Sequence, residues 1–251
     1  MPRGWRARSW PAAFGAAVLM AGCASITPPS QRYTVVTPFS AMPAGERLPP
    51  GWQSWTLSRF KKSTLYRLVK DADGQTIVQA EADGAASGLI KELDIDPSRA
   101  PWLSWRWQVP ELIASADNTR RDAEDSPVRV IVAFDGDPEK LDFEDRAVAS
   151  RVKALTGRDM PYATLMYIWE NQRPVGEVIH SPHTSRVRMI VVESGPQRSG
   201  QWLHFERNVA EDFRNAFGEP AGHIRSVGIM TDTDNTGERT RAFYGDIKFS
   251  A

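Results

Sequence analysis

Side-chain oxygens are densest in this chain at Thr231-Asp232-Thr233-Asp234-Asn235-Thr236-Gly237. Asp232, Asp234 and Asn235 present hard oxygens at short intervals, and Gly237 permits a tight bend. The turn is therefore a candidate structural Ca²⁺ site, because Ca²⁺ takes six to eight such oxygens. An EF-type loop wants an acid at its twelfth position, where this chain has Phe243. The competing reading is Asx-turn chemistry, in which Asp and Asn bond their own backbone and hold a hairpin between two alternating runs.

A second constellation needs several strands to meet. Trp102, Arg106, Arg129, Trp202, Glu206, Tyr244 and Asp246 are expected on the non-core face of one outer sheet. Guanidinium forks and carboxylates bind hydroxyl or acidic groups bidentately, while Trp and Tyr rings cover the C–H faces of sugars. That mixture suits a saccharide. The alternative is a ladder of structural ion pairs, with Glu206 or Asp212 as partners for Arg106 and Arg129.

Catalytic patterns are scarce. His180 and His183 are separated by Ser181-Pro182, which breaks a helical pair, and no zinc-peptidase Glu accompanies them. His204 and His223 belong to no pattern, and there is no G-x-S-x-G elbow. Carboxylate pairs for glycoside cleavage can be drawn from Asp125, Glu193, Glu206 and Asp232, although their separations are a matter of tertiary structure. No catalytic residue is assigned, and a hydrolase or lyase stands as the alternative to a binding protein.

The elements that must position these residues are short strands. Short strand-like segments at residues 52–60, 64–70, 76–82, 85–93, 101–109, 127–135, 163–170, 186–193, 201–207, 224–230 and 241–249 are separated by turn signals. In residues 101–109, Leu103, Trp105, Trp107 and Val109 share one face, and Trp102, Ser104, Arg106 and Gln108 the other. On the last run, Tyr244 and Asp246 are expected opposite Phe243, Ile247 and Phe249. Asp137-Pro138 starts one helix that Gly157 closes. Asn208, with Glu211 as its capping-box partner, starts another that ends at Gly218. With no βαβ rhythm, the pattern predicts an all-β, mainly antiparallel sandwich or jelly roll with two short helical insertions.

The N-terminus reads as an address. Arg3, Arg6 and Arg8 precede a short apolar run ending Leu19-Met20-Ala21-Gly22-Cys23, which resembles a bacterial lipobox with Met20 as its departure. Cys23 is the only cysteine, so its predicted role is lipidation, and Ala24 after it suits outer-membrane sorting. The expected organisation is a signal peptide over residues 1–22, a tether over 23–50 and one sandwich domain over 51–251. Residues 33–39 are a candidate edge strand. Leaving out the three arginines turns 31 basic against 31 acidic residues into 28 against 31, a charge of −3. That balance gives no footprint for nucleic acid. Seven of the nine Trp lie beyond position 50, so the folded part is rich in amphipathic rings.

Several landmarks occur together: Leu103-Ser104-Trp105-Arg106-Trp107, Glu124-Asp125-Ser126-Pro127-Val128-Arg129-Val130, Tyr167-Ile168-Trp169, Glu206-Arg207-Asn208-Val209, Asp212-Phe213, Phe217-Gly218 and residues 231–236. In this order they resemble the DUF3047 family of bacterial envelope proteins over residues 48–249. The architecture is also similar to galactose-binding-like domains. The resemblance implies a location on the periplasmic side of the envelope and supplies no activity. The function expected from the residues is an anchored lipoprotein binding a carbohydrate or other polar envelope ligand. A structural or assembly role with a protein partner is the third reading.

Overall fold

The computed structural model describes residues 34–56 and 60–251; the signal segment and Cys23 lie outside them. Strands β1 (Thr34–Val35), β2 (Trp52–Thr56), β3 (Leu65–Lys70), β4 (Thr76–Asp83), β5 (Ala86–Ile95), β6 (Trp102–Gln108) and β7 (Ser126–Phe134) precede helix α1 (Phe143–Thr156). Strands β8 (Ala163–Glu170), β9 (Val178–His180), β10 (Val187–Ser194) and β11 (Trp202–Asn208) lead into helix α2 (Val209–Phe217). Strands β12 (Ile224–Asp232), β13 (Arg239–Tyr244) and β14 (Lys248–Ser250) follow.

These strands form two seven-stranded sheets. Sheet I runs β1-β14-β6-β13-β4-β3, with β11 on the other edge of β6, and sheet II runs β2-β5-β12-β7-β8-β10-β9. All pairings are antiparallel except β8 with β10. The expected all-β sandwich with two short helices is therefore the observed one. Its core lies between the sheets. Leu103, Trp105 and Trp107 of β6 meet Val128, Val130, Val132 and Phe134 of β7 there, all buried. Each such side chain contributes about 1.5–3 kcal/mol on burial. Trp105 packs against Tyr167 at 5.0 Å and Phe205 at 5.3 Å between ring centroids.

The helices end where their caps dictate. Asn208 Oδ1 accepts from the Glu211 amide at 3.1 Å, and left-handed Gly218 terminates α2. Phe213 of α2 packs on Phe134 at 4.6 Å and seals one end of the core. Asp137 caps only the 3-10 turn Pro138–Lys140, and Asp142 caps α1 itself. Two N-caps five residues apart thus divide the single helix expected there.

Three further expectations are corrected. The runs around residues 231–237 do not form a hairpin, because β12 pairs with β5 and β7 in sheet II, and β13 with β4 and β6 in sheet I. Strand β12 is buried along nearly its whole length while β13 buries one face in the shared core, and the turn carries the chain from one sheet to the other. The expected strand 241–249 breaks into β13 and β14. The Gly245-Asp246-Ile247 step between them changes parity, so Tyr244, Ile247 and Phe249 are all buried. The segment read as a tether is docked from Thr34 onward: β1 pairs with β14, and Phe39 stacks on Trp52 at 4.7 Å. Strand β9, three residues long beside the His180 to His183 stretch, carries too little alternation to be recognised.

Candidate functional site

On the outer face of sheet I the alternation of β6 presents Trp102, Ser104 and Arg106. Register then decides their neighbours. Strand β11 sets His204 beside Arg106 and Glu206 beside Ser104, and β14 sets Lys248 on the other side of Ser104. The small Ser104 side chain between longer ones leaves an open depression of about 510 Å³, lined by Ser104, Arg106, His204, Glu206, Asp246 and Lys248.

Arg106 forms the upper wall and is held on three sides. Its Nη2 donates to Asp71 Oδ2 at 3.0 Å and to Gln75 Oε1, and its guanidinium lies over the Trp202 ring at 4.3 Å. A stacked pair of this kind is worth about 0.5–1 kcal/mol at an exposed site. Partial burial pushes the Asp71 carboxyl up, but the Gln75 and Asp73 amides and Arg106 outweigh it and hold the group below its ordinary value. Gly245 is required here for space. Its N–H donates to the Arg106 carbonyl at 2.9 Å, and a Cβ would stand 2.5 Å from Arg106 Cγ. Asp246 accepts from Ser40 N at 3.0 Å and Ser40 Oγ at 2.5 Å. The side chains of His204, Glu206 and Lys248 form no hydrogen bond or ion pair with the described residues.

A second polar cluster lies on the outer face of sheet II, where Arg129 alternates with the core residues Val128 and Val130. Arg129 Nε and Nη2 donate to Asp232 Oδ1 and Oδ2 at 2.9 and 3.0 Å. Both side chains are buried, at 2% and 5% exposure. The guanidinium also reaches the Glu124 carbonyl at 3.0 Å and the Met189 sulfur at 3.3 Å. Burial pushes the Asp232 carboxyl up to about 6 while Arg129 pulls it back, so the pair is ionised at neutral pH. Burial likewise raises the Glu124 carboxyl, whose Oε2 stands 3.1 Å from His183 Nε2.

Here the expected calcium ligand set is corrected. The carboxylate oxygens that converge, within 4.8 Å of one another, belong to Asp125, Asp232 and Asp234. Asn235 turns its amide nitrogen inward, donating to the Glu124 carbonyl at 3.1 Å and Asp125 Oδ1 at 3.2 Å. The amide nitrogen of Asn235, a donor, therefore faces Asp125 and the Glu124 carbonyl. Asp125 also takes the Thr236 amide at 2.7 Å, Asp234 takes Lys61, and Asp232 takes Arg129 and the Ser126 amide. Protein donors already occupy each carboxylate, and the fixed Arg129 charge opposes a divalent ion. These donors fit a pinned turn better than a Ca²⁺ site.

The seven expected ligand residues thus fall in three places. Trp102, Arg106, Trp202, Glu206 and Asp246 share the outer region of sheet I. Arg129 is on sheet II. Tyr244 crosses the core, its hydroxyl donating to the Met230 carbonyl at 2.7 Å and lying 2.8 Å from Thr231 Oγ1. The expected ion-pair partners also change. Arg106 takes Asp71, Arg129 takes Asp232, and Asp212 takes Arg207 together with the Tyr167 hydroxyl. Of the carboxylates considered for cleavage, Glu193 pairs with Arg198, and Asp125 and Asp232 belong to the sheet II cluster, leaving Glu206 at the depression. Ser104, His204 and Lys248 were missed as lining residues. Ser104 shares the alternation of Trp102 and Arg106, so a signal for it existed; Lys248 reaches the site only through the parity change.

Fold and site together define a two-sheet β-sandwich that presents a polar, aromatic-flanked depression on one sheet. The chain belongs to the family described as "Protein of unknown function (DUF3047)", which matches residues 50–248. Among curated proteins no sequence matches it. Similar solved structures include a mutant of a family 29 carbohydrate-binding module complexed with mannohexaose, at 12% identity over 88% of this chain and 92% of that one, TM-score 0.37. Another is the xyloglucanase domain of a type three effector from Sinorhizobium fredii with cellobiose, at 8% identity over 84% and 100%, TM-score 0.45. An arabinose-bound α-L-arabinofuranosidase aligns at 8% identity over 85% of this chain and 25% of its own, TM-score 0.40. All three scores fall below 0.5, so the chemistry of the face has to be read from its own residues.

Proposed function

We propose that this protein is an envelope-anchored, non-catalytic module that binds a carbohydrate or another polar, hydroxyl-rich envelope ligand in the depression on sheet I. One contrast supports the reading. The sheet II cluster spends its carboxylates on internal donors, whereas Glu206, His204 and Lys248 around Ser104 are unpartnered among the described residues. Unspent donors and acceptors beside exposed indole are what a hydroxylated ligand requires. Calorimetric titration with soluble polysaccharides and peptidoglycan fragments is expected to show binding without product release, weakened by Glu206→Gln and Trp202→Ala. Turnover lost on Glu206→Gln would establish the hydrolase or lyase instead. A protein partner recovered by crosslinking, with no saccharide bound, would establish the assembly role.

The anchor is part of the same proposal. A lipid on Cys23 would hold the sandwich at the periplasmic side of the envelope, at the outer membrane in view of Ala24. Cys23→Ala is then expected in the soluble fraction, and its full retention on membranes refutes the anchor.

A further inference from the structure

The arrangement around Ser104 narrows the ligand class, on the assumption that the depression binds a saccharide at all. Residues two apart on one face of a strand are separated by roughly 6.6–6.8 Å, so Trp102 and Arg106 stand about 13 Å apart along β6. Neighbouring strands lie about 4.8 Å apart, so Glu206 and Lys248 face each other across Ser104 at about 10 Å. The result is a slot longer along β6 than across it. Ser104 is its floor and Arg106 over Trp202 one end; Trp102, 39% exposed, lies outside the lining but stands two residues beyond Ser104 on the same face and extends the surface along β6.

Charge narrows the class further. The cations at the slot are Arg106 and Lys248, and the carboxylates are Asp71, Glu206 and Asp246. Two cations against three carboxylates leave an excess negative charge. Arg106 is already paired with Asp71, so an incoming acid would find only Lys248 free to answer it. A carboxylate or phosphate brought against Glu206 or Asp246 would meet like charge at contact distance, where the repulsion is only partly screened near a protein surface. A neutral ligand avoids that cost, because its hydroxyls donate to Glu206 and accept from Lys248 at once.

We infer that the depression takes an uncharged saccharide of disaccharide length, lying along β6 with one ring over Trp102, Ser104 beneath it and its hydroxyls bridging Glu206 and Lys248. Carboxylated or phosphorylated glycans are excluded by the same charges.

The test titrates the protein with glucose and N-acetylglucosamine series of one, two and four sugars, and with digalacturonate as an anionic disaccharide. Affinity is expected to rise from the monosaccharide to the disaccharide and then to level, with digalacturonate bound weakly or not at all. Trp102→Ala should weaken the disaccharide about three- to tenfold. Ser104→Trp should abolish binding by filling the floor; exposed Lys248→Ala should weaken it with the melting temperature unchanged, which separates a site effect from misfolding. Preference for digalacturonate, affinity still climbing at four sugars, or indifference to Ser104→Trp would each overturn this inference while leaving saccharide binding intact. Absence of binding across the panel would overturn both.

Discussion

Replacing Arg129 with Met removes a guanidinium buried to 2% exposure and strands the Asp232 carboxylate, 5% exposed, with only the Ser126 amide at 3.2 Å. Breaking one side of a buried ion pair costs about 3–5 kcal/mol, because the remaining charge has lost its partner. Typical domains have only about 5–15 kcal/mol in all, so Arg129→Met is expected to fold marginally. Asp232→Leu strands the opposite charge and should cost a similar amount. Together the two replace a polar pair by an apolar one beside Met166 and Met189, a setting that already offers sulfur rather than oxygen to Arg129 Nη1. The double variant should therefore cost less than the sum of the singles by roughly 2–3 kcal/mol. Urea denaturation reads this directly. With a slope of about 1–3 kcal/mol per molar, each single variant should move the midpoint down by more than about 1 M. Single costs below about 1 kcal/mol, adding without coupling, would show a solvated pair. The sheet II cluster would then be open to ligands, and its assignment as a structural pin would be wrong.

Three other expectations follow from the same geometry. Tyr244→Phe leaves the Met230 carbonyl and Thr231 hydroxyl without their shared partner, and should cost about 1–3 kcal/mol in thermal denaturation with saccharide affinity unchanged. Gly245→Ala drives a Cβ into Arg106; it should lower stability by about 1–3 kcal/mol and weaken the ligand, while an unaltered affinity would show that Arg106 need not be held over Trp202. The third concerns pH. Burial raises the folded-state pKa of both Glu124 and Asp232, the latter to about 6, so the native state takes up protons where the unfolded chain has released them. Their contribution therefore grows as pH falls from 7 toward 5, opposite to that of His183, whose pKa burial lowers. Glu124→Gln mimics the protonated acid, so its stability relative to wild type should be most favourable at pH 7 and least at pH 5. A difference independent of pH would show that Glu124 titrates normally.

Much of the fold was legible because its signals are local. Period-two alternation marked β6 and β7, and Asn208, Gly157 and Gly218 marked helix ends, since a cap depends on residues three or four apart. The outer-face grouping of Trp102, Ser104 and Arg106 follows from the same pleat. What alternation cannot carry is which strand lies beside which. Asp232 and Tyr244 show the consequence: the first faces a guanidinium from β7, and the second spans the core because the chain shifts parity after Gly245.

Residue types and their period thus determined, from the sequence alone, that this is a sandwich of short antiparallel strands and which side of β6 faces out. The tertiary structure decided that the acid-rich turn bridges two sheets and spends its carboxylates internally. It also decided that Glu206 and Lys248 stand on either side of Ser104, their side chains without a partner among the described residues. The physical reason is that pairing register joins residues more than a hundred positions apart, and no local preference encodes it.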